Sequence, residues 1–212
     1  MSKVTHIRSG IRKILEIPQL YNLKSTLFGG KSYKEWYIKQ LFVKEGFKVL
    51  DIGCGTSNIL EFLPLDIEYI GLDMEESYIE YGKQKYGNRG VFIREKVGET
   101  LREEWLGYFD VINVHGLLHH LSDNDTNVLL SMACKYLKPT GYMHTVDTLF
   151  HDEQNMIERW IVSKDRGQNI RYPKEYIDLA SNFLKVEEHK IISNYLRIPY
   201  SIFYMKLSLN KE

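Results

Sequence analysis

The sequence predicts an α/β fold on a mostly parallel sheet, and three observations predict it. Apolar runs of strand length alternate with helical patterns from about residue 33 to residue 150. The first run closes on Asp51-Ile52-Gly53-Cys54-Gly55, a glycine-rich turn of the kind that joins strand to helix beside a ligand. The chain finishes with two β-like runs parted only by a short loop containing Pro199, which suits an antiparallel hairpin and not a further crossover.

The elements follow in order. Tyr33 to Phe42 has helical spacing and Phe47 to Ile52 reads as a buried strand. Asn58 to Leu63 starts a helix that Pro64 stops, because proline lacks the N–H a helix interior needs. Glu68 to Leu72 is a second strand, Ser77 to Tyr86 a helix, and Val91 to Arg94 a third strand after Gly87-Asn88 and Gly90. Tyr108 to Val114 is a fourth strand, Asp125 to Leu137 a helix, and Tyr142 to Val146 a fifth strand after Lys138-Pro139-Thr140-Gly141. Glu153 to Val162 and Lys174 to Phe183 are helices on either side of a polar loop, Lys164 to Tyr172. Lys185 to Ile192 and Ser201 to Leu209 form the terminal hairpin. Right-handed crossovers between the first five strands make the sheet parallel there.

Length and composition bound the rest. A chain of 212 residues holds one such domain, expected over 32–212, preceded by an arm over 1–31. In the arm, Ile7, Ile11, Ile14 and Leu15 recur at helical spacing beside Arg8, Arg12 and Lys13, which fits a packed helix, a lid or a membrane contact. Lys+Arg and Asp+Glu are both 28, so no global field recruits nucleic acid. Neither a secretory leader nor a run of membrane-spanning length is expected. The two cysteines, Cys54 and Cys134, sit in different structural contexts and form no metal-binding spacing, so a reducing cytoplasm is the expected setting and no metal is assigned.

The glycine-rich turn carries the first chemistry. A dinucleotide site would read GxGxxG, but Asn58 stands where the third glycine would fall. Asp51 would repel a pyrophosphate and attract an ammonium beside a sulfonium. The second strand ends at Gly71-Leu72-Asp73, where an acid in nucleotide-binding folds meets the ribose hydroxyls, although an Asp there can also cap the next helix.

VLDIGCGTSNIL, YIGLD, YFDVINVHGLLHHL and LKPTGYMHTVD, in that order, resemble the successive motifs of class I S-adenosylmethionine-dependent methyltransferases over about residues 33 to 150. The resemblance implies a Rossmann-like, doubly wound seven-stranded sheet of order 3-2-1-4-5-7-6 and S-adenosylmethionine as cofactor. By it, Asp51, Gly53, Cys54 and Gly55 hold the methionine end, Asp73 the ribose and Met74 the adenine, while the backbone at His115 borders the methionine. The family often has an acid on the adenine amino group after strand three. Here Lys96 takes that position between Glu95 and Val97, which leaves Val97 to give an apolar and backbone contact.

Methyl transfer from a sulfonium onto a hydroxyl requires alignment and a proton acceptor, a task suited to histidine. LHHL followed by an acid at the end of strand five resembles small-molecule O-methyltransferases, including some that act on sugars, and implies His119, His120 and Asp147 around the acceptor hydroxyl. A histidine in LHHL can instead cap or pack the following helix. His144 lies earlier on the same strand as Asp147. Arg166 and Arg171 flank Gly167 and read either as a clamp for an acidic acceptor or as loop-holding partners of Asp165 or Glu158. Tyr33 and Tyr37 read as acceptor-pocket or core aromatics. The leading expectation is O-methylation of a small molecule, such as a sugar or sugar-linked metabolite. C- or N-methylation of another metabolite, and a catalytically silent binding protein, stand as alternatives.

Overall fold

A computed structural model of the chain describes residues 31–193 and 198–210. The expected arm, Lys31 apart, therefore lies outside the described residues. Helix α1 (Lys31–Leu41) precedes β1 (Lys48–Ile52), a 3₁₀ turn (Asn58–Glu61), β2 (Glu68–Asp73), α2 (Glu76–Tyr86) and β3 (Val91–Arg94). A second 3₁₀ turn (Glu103–Trp105), β4 (Phe109–His115), a third 3₁₀ turn (Leu118–His120) and α3 (Asp123–Tyr136) lead into β5 (Leu137–Thr148). The remainder is α4 (Met156–Ser163), α5 (Pro173–Ser181), β6 (Lys185–Ile192) and β7 (Ile202–Ser208).

The strands form one seven-stranded sheet in the order β3-β2-β1-β4-β5-β7-β6. β1 to β5 run parallel, and β7 pairs antiparallel with both β5 and β6. No helix among the described residues is long and apolar enough to cross a membrane.

Strand alternation sorts the core onto the two sheet faces. Val49 and Val111 pack with Tyr37 and Leu41 of α1 and with Ile79 and Tyr86 of α2. Leu50, Ile52, Ile112 and Val114 pack with Leu129, Leu130 and Ala133 of α3 and with Tyr176 and Ala180 of α5. The same period of two places Asp51, Asn113 and His115 on the α1 face.

Two elements differ from the expected pattern. The helix expected over Asn58 to Leu63 is a single 3₁₀ turn, entered through Ser57 at φ 53°. The Arg89 guanidinium then takes the carbonyls of Leu60, Leu63 and Pro64, so the chain leaves the turn without a helical hydrogen-bond ladder. β5 begins earlier than expected, at Leu137 opposite Phe109, and passes Pro139 through a register shift against β4. Such a bulge lets a residue without an N–H sit in a strand.

Candidate active site

A cleft opens at the carboxyl ends of β1, β2 and β4, where ligands bind in open α/β sheets. It is lined by Gly53, Gly55, Asp73, Met74, Val97, His115, His120 and Arg166, among others. On the β1 side, Gly53 and Gly55 adopt φ 73° and 52°, a left-handed region that costs little only for glycine. A side chain at Gly53 would press on Leu117, while the space above Gly55 is open. Asp73 fixes this loop: its carboxylate accepts from the Gly55 N–H at 2.9 Å and from the Glu75 N–H at 2.8 Å. Burial raises its pKa against those two N–H bonds. The Cys54 sulfur packs against Gly71, and burial pushes its thiol up.

Asp51 stands on the neighbouring strand, β1. Its carboxylate is buried under α1, accepting from the Tyr69 hydroxyl at 2.6 Å and the Asn113 amide at 2.7 Å. The Tyr37 hydroxyl donates in turn to the Asn113 side-chain oxygen. Burial pushes the Asp51 carboxyl up to about 6, against the two hydrogen bonds that favour its charged form. Tyr37 thus belongs to a buried polar chain and not to an acceptor wall. Tyr33, one turn earlier, bonds His115 Nε2 at 2.6 Å. Tyr69 and Asn113 escaped the sequence reading. The signal that finds Asn113 is the shared alternation of Val49/Asp51 and Val111/Asn113 on paired strands.

After β3, Glu95, Lys96 and Val97 all line the cleft. The Glu95 carboxylate is held by Arg102 at 2.6 Å, and Lys96 lies 3.8 Å from Asp125. Val97 packs against the core on the α3 face.

The far wall is the 3₁₀ turn Leu118–His120. His119 is buried, with Nδ1 2.7 Å from an Asp147 carboxylate oxygen that also accepts the His119 backbone N–H. Its other nitrogen, Nε2, lies 3.3 Å from Asp165. Burial opposes a charge on this ring, but Asp147 and Asp165 outweigh it and raise its pKa to about 9. In return, and against its own burial, the hydrogen bond and charge of His119 hold the Asp165 carboxyl well below the usual carboxylate range. A carboxylate thus faces each ring nitrogen of His119. His119 and Asp147 brace the turn from within, while His120, its ring tilted against His119 with centroids 4.1 Å apart, lines the cleft. His144 projects to the opposite face of β5. It bonds the Tyr204 hydroxyl at 2.8 Å and is pushed down to about 3 by burial, so it remains neutral packing.

The loop from Lys164 to Tyr172 wraps this turn. The Asn169 N–H donates to the His119 carbonyl at 3.0 Å. Gly167 lies so close that a Cβ there would stand 2.2 Å from His119 Cδ2. Arg171 does not face the cleft. Its guanidinium is buried, donating to the carbonyls of Leu118, Leu121 and Asn169 and to the Asp123 carboxylate. It thus holds the loop, through partners other than the expected Asp165 or Glu158. Arg166 remains as the loop's cation on the cleft.

The residues present fit S-adenosylmethionine: an open glycine turn, a braced acid at the end of β2, the apolar Met74 beside it and a buried acid on the adjacent strand. Comparison with known proteins agrees. A family model described as a methyltransferase domain matches residues 43–193. The chain is 32% identical over 101 residues to the ubiquinone biosynthesis O-methyltransferase of a Shewanella species, a match covering 46% of this chain and 42% of that protein. It is 25% identical over 189 residues to the phosphoethanolamine N-methyltransferase of Plasmodium falciparum, covering 87% of this chain and 71% of that one. Among solved structures, a TehB-like SAM-dependent methyltransferase from Corynebacterium glutamicum superposes with a TM-score of 0.65 at 17% identity, over 91% of this chain and 95% of that one. The sheet order and the domain match together show that the chain belongs to the methyltransferase-domain family and has the class I S-adenosylmethionine-dependent fold.

Proposed function

We propose that the chain transfers the methyl group of S-adenosylmethionine to a hydroxyl of a small molecule, a sugar or sugar-linked metabolite being the leading class. The observation that carries this reading is the cleft itself, where the glycine turn and Asp73 face His120 and Arg166 across one space. When bound, the cofactor supplies a methyl group already activated on a positively charged sulfur. The protein's tasks are then to align the acceptor and to take its proton. Gly53 and Gly55 let the backbone approach the ligand, and Asp73 keeps that turn in place while offering lone pairs to the ribose. Met74 and Val97 give apolar contact to the base. Asp51, with its pKa near 6, gains a compensating charge when an ammonium is brought close.

On the acceptor side, His120 is the residue of the pair that receives the proton. His119 positions it, and Arg166 draws an acidic group on the acceptor toward the cleft. An amine acceptor is the second reading, favoured by the phosphoethanolamine N-methyltransferase match over 87% of this chain. The balanced charge and the two free cysteines fit a cytoplasmic enzyme of small metabolites.

The test is transfer of labelled methyl from S-adenosylmethionine into a fractionated extract, followed by identification of the modified atom. A small product methylated on oxygen is expected. Label only on nitrogen moves the assignment to the second reading, and label in protein or nucleic acid overturns both.

A further inference from the structure

The histidine turn carries a second arrangement that the methyl-transfer reading does not use. One ligand atom each of His119, His120 and Asp165 lie within 4.8 Å of one another. His119 and Asp165 are each also held in place by further hydrogen bonds. The Asp147 carboxylate sits 2.7 Å from His119 Nδ1 and holds a ring proton there, so an ion that displaces the proton between Nε2 and Asp165 meets Nε2 as a ligand. This carboxylate–histidine relay is the usual support of a metal-bound imidazole. Asp165 accepts from the Gly167 N–H at 2.9 Å and from the Tyr200 hydroxyl at 3.1 Å, which fixes its carboxylate against the turn. Two carboxylates, Asp147 and Asp165, flank one imidazole, and the second oxygen of Asp147 is buried with no hydrogen-bond partner. A divalent ion matches that charge.

We propose that His119, His120 and Asp165 bind one first-row divalent cation, with its open coordination positions turned toward the cleft. Two imidazoles and one carboxylate select zinc or a neighbouring transition metal over magnesium or calcium, which prefer all-oxygen sites. Tetrahedral ligands about 2.1 Å from zinc stand roughly 3.4 Å apart, so the three side chains close on the ion by about an ångström. His120 lines the cleft, the side from which an ion would enter. The consequence for chemistry rests on the methyltransferase reading: bound there, the ion would lower the pKa of an acceptor hydroxyl so that its proton passes to solvent water, in place of transfer to His120.

The experiment is calorimetric titration of Zn²⁺, and separately Mg²⁺, into the chelator-treated full chain, with Co²⁺ absorption reporting the ligand set. Saturable 1:1 binding of Zn²⁺ at least tenfold tighter than Mg²⁺ is expected. His120→Ala and Asp165→Asn should each weaken it at least tenfold, and Asp147→Asn by about 10–100-fold. Glu80→Gln, an exposed carboxylate on α2, should leave it unchanged. Absence of saturable Zn²⁺ binding, or equal affinity in His120→Ala and Asp165→Asn, overturns the site. S-adenosylhomocysteine titrated into the same samples separates the two ideas: zinc without cofactor binding keeps the metal site and removes the methyltransferase reading.

Discussion

The two walls of the cleft are built by different means. On the cofactor side, the key contact joins Gly55 to Asp73 across 18 positions, at the ends of two adjacent parallel strands. On the acceptor side, the contacts that hold His119 and its turn join positions 28 to 53 apart and come from β5, the loop before α5 and the start of α3. The first wall is a property of local backbone geometry. The second exists only when a remote loop is pinned over it. The two should therefore fail independently.

Removing Arg171 should produce the largest separation. Arg171→Ala leaves three carbonyls without their charged donor, at a cost of about 3 kcal/mol in stability. With the turn released, methyl transfer should fall about 100-fold or more, the scale expected when reacting groups shift by an ångström. Affinity for S-adenosylhomocysteine should stay within a few-fold. Thermal melting and calorimetry on the same preparation check both statements.

Gly167→Ala is the milder version. Its new methyl would meet His119 Cδ2 at 2.2 Å, so the loop must lift, costing roughly 1–3 kcal/mol as overpacking. Turnover should drop while cofactor affinity holds.

Asp51 sharpens the comparison from the other wall. Its pKa is raised from the ordinary carboxylate value near 3.9 to about 6, so the folded chain binds the extra proton and stability falls as pH rises through that window. Above pH 6 the buried charge costs on the order of 2–3 kcal/mol. Asp51→Asn should accordingly raise the melting temperature at pH 7, have little effect at pH 4, and weaken S-adenosylhomocysteine binding.

His119 shows the same pH sense one window higher, because its raised pKa also means that the folded chain holds the extra proton. Its contribution is fully present below about pH 6.5 and is lost as pH rises through about 9. The melting-temperature gap between the natural chain and His119→Gln should narrow over that interval.

This difference also explains what the sequence could show. The strands, the glycine turn and the strand-end Asp73 were legible because apolar runs, paired glycines and an acid leave marks at fixed local spacing, while the sheet order came from the family resemblance. Asp51 was legible as a residue but not as an environment, since only pairing of β1 with β4 brings Asn113 beside it. His119 and His120 look equivalent in LHHL, and what separates them is Asp147 and Asp165, neither of them a neighbour in sequence. Arg171 carries no motif at all. Its partners are defined by how the loop folds back, and a reading of residues 164–172 alone leaves clamp and brace undistinguished. The early start of β5 was hidden by Pro139, which ordinarily marks the end of an element.

The most direct test of independent walls is calorimetric titration of S-adenosylhomocysteine into the natural chain, Asp73→Ala and His120→Ala. The account predicts 1:1 binding to the natural chain, affinity weakened about 10–100-fold in Asp73→Ala through loss of a charged hydrogen-bond acceptor, and near-natural affinity in His120→Ala. No binding to the folded natural chain, or an equal loss in both variants, would contradict it.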